Sequence, residues 1–239
     1  MPPATLAVNE VFGPTIQGEG PYIGQLSYFI RLAGCNLRCT WCDSDYAWNW
    51  QKYHRAKELT RYSPEEVIDK LVELAGPELI RYGTRLVCTG GEPLLQQDRL
   101  VDVTRQFQEF GWKIDIETAG TLSWNQSIQD VDQFVVSPKL YNSGNPKEKR
   151  YVPLVLESFL QKGKSVFKFV CMGFQDLDEV QQIVEEMGIP AYLVYIMPEG
   201  IDASTVARRQ QILVEEVLKR GWNITTRLQT TLWGQARRR

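Results

Sequence analysis

Short apolar runs, each closed by a turn and followed by an amphipathic stretch, recur along most of the chain. Runs rich in β-branched and aromatic residues at 6–11, 27–32, 85–88, 113–117, 133–136, 166–170, 191–196 and 223–228 predict strands. Helical periodicity fills most of the intervals. The clearest helix begins at Ser63, where Pro64 takes the first position and Glu66, three residues on, completes a capping box. Val67, Ile68, Leu71, Val72 and Leu74 give that helix one apolar face before Gly76-Pro77 stops it. Further helices are predicted over 97–110, 153–160, 176–187 and 204–220.

Strands that alternate with helices predict an α/β fold of parallel βα units. A right-handed series of about six such units makes a partial, open (β/α) barrel rather than a closed one. The expectation is one domain spanning 1–239, with the chemistry at the C-terminal strand ends. Two segments stand outside the alternation. Residues 43–62, rich in Tyr and Trp and holding the only histidine, His54, are expected to be an insertion folded near the loop after the second strand. Residues 141–151 are expected to be a mobile polar loop placed like a lid.

Composition narrows the classes. A hydrophobic fraction of 43% excludes a disordered chain, and a net charge of −2 offers no general attraction to a phosphate backbone. The basic run at 236–239 is expected to be a solvated end, and no nucleic-acid partner is expected. No window holds the ~18 apolar residues needed to span a bilayer, and the N-terminus lacks a secretory pattern. The expectation is a cytoplasmic protein without a membrane partner. In a reducing compartment its five cysteines are better ligands than disulfide partners.

Three of those cysteines fall within eight residues, as Cys35-x3-Cys39-x2-Cys42, just after a predicted strand and Gly34. Closely spaced thiolates on one loop can wrap an iron–sulfur cluster, and three ligands to a four-iron cluster leave one iron open. The competing reading is a zinc site with Cys88 or His54 as fourth ligand, although no second Cys or Cys/His pair is present. Cys88 and Cys171 lie in predicted strands and are expected to be packing residues. After the third strand, Thr89-Gly90-Gly91-Glu92-Pro93 offers two glycines for close backbone approach and a carboxylate that can accept from an ammonium. Later strand ends carry Glu117, then Ser137-Pro138-Lys139, then Ile196-Met197-Pro198-Glu199. Their common position makes a ring around one cofactor, against the plainer reading of Glu117 and Lys139 as a solvated ion pair.

Three features bear on the substrate. The turn Ile16-Gln17-Gly18-Glu19 presents an amide and a carboxylate that suit the edge of a guanine-like ring. Arg31 shares a strand face with Phe29, opposite Tyr28 and Ile30. Inside a barrel it needs a partner, either a substrate carboxylate or a barrel glutamate. Asp43-Ser44-Asp45 offers oxygens to a hard cation such as Mg2+.

The Cys-x3-Cys-x2-Cys loop with its Gly-Gly-Glu turn resembles the radical S-adenosylmethionine (SAM) superfamily. Together with the Gln-Gly-Glu-Gly turn, Phe-Ile-Arg-Leu-Ala-Gly-Cys, Cys-Asp-Ser-Asp and Val-Ser-Pro-Lys, nearly the whole chain resembles the 7-carboxy-7-deazaguanine synthase family. The resemblance implies a [4Fe-4S] cluster on Cys35, Cys39 and Cys42, whose fourth iron is chelated by the amino and carboxylate groups of SAM. Reduction then cleaves SAM to a 5′-deoxyadenosyl radical. It implies SAM contacts from Trp41, Cys42, Asp43, Gly91, Glu92, Glu117, Ser137, Pro138, Lys139, Ile196, Met197, Pro198 and Glu199. Substrate contacts fall to Ile16, Gln17, Gly18, Glu19, Arg31 and Thr89, with Mg2+ bridging Ser44 and the substrate carboxylate. The implied reaction turns 6-carboxy-5,6,7,8-tetrahydropterin into 7-carboxy-7-deazaguanine with loss of ammonia, in queuosine and deazapurine biosynthesis. A homodimer and a reductant such as flavodoxin or ferredoxin are implied as well. Two departures stand out: Ser44 takes the place of the family's common threonine, and the C-terminus reads Leu228-Gln229-Thr230 instead of a Gln-x-His-Lys pattern. The nearest rival is a glycyl-radical activase, and a rival of another class is a zinc-stabilised binding module.

Overall fold

The computed structural model describes residues 5–78 and 82–239. Its strands are β1 (Leu6–Ile16), β2 (Leu26–Leu32), β3 (Thr60–Tyr62), β4 (Arg85–Gly90), β5 (Lys113–Thr118), β6 (Gln133–Val136), β7 (Ser165–Cys171), β8 (Val194–Pro198) and β9 (Asn223–Ile224). They form one sheet in the order β3-β1-β2-β4-β5-β6-β7-β8-β9, parallel from β2 onward, with its two edges unjoined. This is the open, partial barrel that the alternation predicts.

The helices are α1 (Arg55–Glu58), α2 (Pro64–Ala75), α3 (Gln97–Glu109), α4 (Lys147–Arg150), α5 (Pro153–Lys162), α6 (Phe174–Met187), α7 (Ala203–Lys219) and α8 (Leu228–Trp233). In α2 the capping box forms as expected: Glu66 N donates to Ser63 Oγ at 3.2 Å and Ser63 N to Glu66 Oε2 at 2.7 Å. Val67 and Leu71 are fully buried, each contributing about 1.5–3 kcal/mol, while Leu74 is exposed.

The pleat sorts side chains between two environments. Along β2, Tyr28, Ile30 and Leu32 join the apolar layer under the helices, and Phe29 and Arg31 face the barrel interior. In β4, Leu86 and Cys88 point outward, whereas Val87 packs with Phe12 and Phe29 inside.

Several boundaries differ from expectation. Strand β1 runs on to Ile16 because it pairs antiparallel with β2, with irregularities at Val8/Glu10 and Phe12/Thr15. Residues 191–193 form a turn, so β8 starts late, and the strand expected at 223–228 shrinks to two residues before α8 begins. The segment 43–62 adds β3 to the sheet edge beside β1. The segment 141–151 is not a loose lid. It forms a turn and α4 with Ser143, Asn145 and Arg150 buried, because Arg150 is anchored by Lys139 O at 2.9 Å and Glu179 at 2.7 Å. No helix among the described residues is long and apolar enough to cross a membrane.

Candidate active site

One large cavity opens at the C-terminal ends of the parallel strands, and Cys35, Cys39 and Cys42 all line it. Their loop leaves β2 at Gly34, whose φ of 94° is a left-handed value that favours glycine. The Gly-Gly turn after β4 is pressed against this loop. A Cβ on Gly91 would stand 1.9 Å from Gly34 O, and one on Gly90 2.2 Å from Leu32 O. The close approach that these glycines permit is therefore to the cysteine loop itself. Glu92 is not at the cavity. It is fully buried and accepts from Leu94 N at 3.1 Å, Thr118 Oγ1 at 2.8 Å and Ala119 N at 2.8 Å, so its carboxylate fastens two strand-end turns together. Pro138, Ile196 and Pro198 are likewise buried off the cavity, Ile196 within the apolar layer.

The other expected residues converge. Ile16, Gln17, Gly18, Glu19, Arg31, Trp41, Asp43, Ser44, Thr89, Gly91, Glu117, Ser137, Lys139, Met197 and Glu199 all line the same cavity. Glu117 is not paired with Lys139. It accepts from Gln17 Nε2 at 3.2 Å and Thr89 Oγ1 at 2.9 Å, while Lys139 donates to Ser137 O and Oγ at 2.8 Å each. Glu19 is the hub of a charged cluster, accepting from Lys168 at 2.5 Å, Gln229 Nε2 at 2.7 Å and Arg227 Nε at 3.2 Å. Burial alone would raise its carboxyl, but Lys168 and Arg227 outweigh burial and hold it at about 2. Arg31 Nε donates to Glu10 Oε2 at 3.0 Å, and Glu10, itself buried, also accepts from Tyr46 Oη and Arg237 Nε. The barrel glutamate anticipated for Arg31 thus exists. No partner among the described residues occupies the guanidinium's Nη1 and Nη2.

Comparison with known proteins places this geometry. A chain from Hyperthermus butylicus named 7-carboxy-7-deazaguanine synthase is 36% identical over 229 residues, covering 93% of this chain and 91% of that one. A namesake from Pyrobaculum aerophilum is 32% identical, covering 96% of both chains. The chain belongs to the 7-carboxy-7-deazaguanine synthase family. The radical SAM superfamily pattern matches residues 29–140, from inside β2 through the Ser137–Lys139 strand end. The crystal structure of QueE from Escherichia coli superposes with a TM-score of 0.70 at 22% identity, covering 94% of each chain, and so shares the fold.

Membership brings a [4Fe-4S] cluster and SAM as cofactors, and the thiols suit the cluster. Each sulfur accepts an N–H, from Leu37 N to Cys35 (3.4 Å), Asn145 Nδ2 to Cys39 (3.3 Å) and Trp48 Nε1 to Cys42 (3.4 Å), and Cys42 also lies 3.9 Å from Ser44 Oγ. The zinc alternative lacks its fourth ligand: Cys88 is buried in the apolar layer, and His54 borders a separate surface dent with Arg55 and Leu59. For Mg2+ the donors are not gathered. Asp43 is engaged by Arg227 and Asp45 by Lys52, which leaves Ser44 Oγ as the one side-chain oxygen of that tripeptide at the cavity without a cationic partner.

Sequence reasoning missed Lys168, Arg227 and Gln229, all of which line the cavity. Lys168 carried a signal: a lone lysine in the apolar strand Ser165–Cys171, buried and aimed inward, needs a carboxylate. The basic tail is not a free end either. Arg237 pairs with Glu10 and Glu58 at 2.9 Å each and lies 3.7 Å from the Tyr46 ring centroid, bringing Arg239 to the cavity.

Proposed function

We propose that the chain, acting as one domain and as a homodimer, converts 6-carboxy-5,6,7,8-tetrahydropterin to 7-carboxy-7-deazaguanine with loss of ammonia. The observation that carries this reading is the shared cavity, which three thiols on one loop line together with Arg31, Gln17, Thr89 and Gln229. The bound cluster and SAM, reduced by an external donor such as flavodoxin or ferredoxin, supply a carbon radical able to remove one hydrogen atom. The chain's own work is placement, since the reacting C–H must lie within reach of that radical.

Glu10 takes the Nε–H of Arg31, leaving the guanidinium's outer edge to receive the pterin carboxylate in a two-bond fork. Gln229 Oε1 is buried without a hydrogen-bond partner while its Nε2 is spent on Glu19. That oxygen is packed against Gly18, so Gln229 serves the site through the bond that holds Glu19. Glu117 holds Gln17 and Thr89 in fixed rotamers beside it. Phe12 and Phe29, stacked with centroids 5.0 Å apart, wall the interior and keep water from the ring. Ser44 has one hydroxyl to offer Mg2+, so any such ion would take most of its oxygens from substrate and water.

The test is anaerobic incubation of reduced, iron-loaded protein with SAM and the carboxypterin, with products read by mass and ultraviolet absorption. A deazapurine should appear. SAM cleavage without one would reject the substrate, and a colourless protein would reject the cluster.

A further inference from the structure

Two segments that stand outside the strand–helix alternation both end on cluster ligands. From 43–62, the half-buried Trp48 turns its indole Nε1 to Cys42 Sγ at 3.4 Å. From 141–151, the buried Asn145 turns Nδ2 to Cys39 Sγ at 3.3 Å. Each donor is held in place by a second contact. The Arg38 guanidinium lies 4.6 Å from the centre of the Trp48 rings, and Asn145 Oδ1 accepts from Arg38 N at 2.8 Å. Arg38 in turn donates through Nη1 to Cys35 O at 2.6 Å. One exposed arginine therefore braces both side-chain donors and the loop that carries all three sulfurs.

We infer that Trp48 and Asn145 are positioning residues that set the reduction potential of the cluster through N–H···S hydrogen bonds to Cys42 and Cys39. The inference rests on the reading that these cysteines hold a four-iron cluster. A reduced cluster carries one more negative charge, spread partly onto its sulfurs. A hydrogen-bond donor aimed at sulfur stabilises that form more than the oxidised one and raises the potential. Without such donors an external reductant would face a harder electron transfer into the same site.

The test is a reductive titration of the full-length, iron-loaded protein, followed by the electron paramagnetic resonance of the reduced cluster. Trp48→Phe keeps a ring under Arg38 and removes only the donor. It should make reduction about three- to tenfold less favourable, a shift of up to about 59 mV toward more negative potential for one electron. Asn145→Leu should shift the same way, and the double variant further. A midpoint equal to wild type in iron-loaded single variants, or one moved upward, would overturn the inference while leaving the cluster assignment intact. Failure of both single variants to hold iron would overturn it too, because the side chains would then be scaffold alone. Wild-type protein that takes up no four-iron cluster would instead sink the underlying reading.

Discussion

The two ends of the barrel interior both bury charge, but they spend it differently. At the floor, where the parallel strands begin, Arg85 meets Asp115 in a two-bond fork of 2.6 Å each, with the Tyr22 ring centroid 3.3 Å from the guanidinium. Fork and carboxylate consume each other. At the rim, where the strands end, Arg31 gives one N–H to Glu10, and Glu19 is shared among Lys168, Arg227 and Gln229. Gln229 Oε1 there has no partner. A closed buried pair has nothing left to offer a ligand, whereas a rim arginine with two unspent nitrogens is ready to receive one.

The largest effect that would sharpen this contrast lies at the floor. Asp115→Ala leaves the Arg85 guanidinium buried and uncompensated, which should cost about 3–5 kcal/mol in urea unfolding while the remaining folded molecules keep their turnover. Replacing the pair together, Arg85→Met with Asp115→Leu, should recover most of that loss. If the single variant instead abolished turnover at full stability, floor and rim would not differ in kind.

Next comes the acid limb of stability at the rim. Glu19 sits at about 2 in the folded chain against an ordinary 4.5. Because the folded value is the lower one, its contribution is complete above pH 4.5 and is lost as pH falls toward 2. The difference is worth about 3 kcal/mol at most. Glu19→Gln should flatten urea midpoints of the iron-free chain between those pH values; an unchanged slope would show that the cluster of charges does not stabilise the fold. Arg31→Ala is the third case. Glu10 keeps Tyr46 and Arg237, so stability should move little. Deazapurine formation should fall about 100-fold, roughly 2.7 kcal/mol, with SAM cleavage retained. Wild-type turnover in this variant would remove the carboxylate role.

The rim was only half legible in the sequence, for a reason of distance along the chain. The cysteine spacing and the alternation that puts Phe29 and Arg31 on one face are local patterns, and both survive in the structure. Of the Gly-Gly-Glu turn, Gly90 and Gly91 do line the cavity, but Glu92 turns inward. Glycines and a carboxylate that brace the chain's own backbone look the same in sequence as ones that meet a ligand. Arg227 and Gln229 gave no local sign at all. Their partner Glu19 lies more than two hundred residues away, and α8, at six residues, is too short to show a helical period. Trp48 and Asn145 hid in polar, aromatic stretches without periodicity.

The smallest effect tests whether Gln229 is placed for a ligand or merely lodged beside one. A Cβ on Gly18 would come within 1.8 Å of Gln229 Oε1 and 2.6 Å of its Cδ, but only 3.1 Å from its backbone N. The collision is thus mainly with the mobile end of one side chain, unlike Gly91→Ala, which would strike the backbone carbonyl of Gly34. Gly18→Ala should therefore fold normally and load iron, yet swing the Gln229 amide off Glu19, which it holds in the cavity wall. Losing one hydrogen bond of this kind, about 1.4 kcal/mol, should raise KM for the pterin about tenfold with SAM cleavage unchanged. Adding Gln229→Ala should then cost nothing further, because the displaced amide is already out of use and its removal relieves the crowding. Full additivity of the two losses would show that Gly18 and Gln229 act on the substrate separately, and the rim would be a set of independent contacts instead of one coupled cluster.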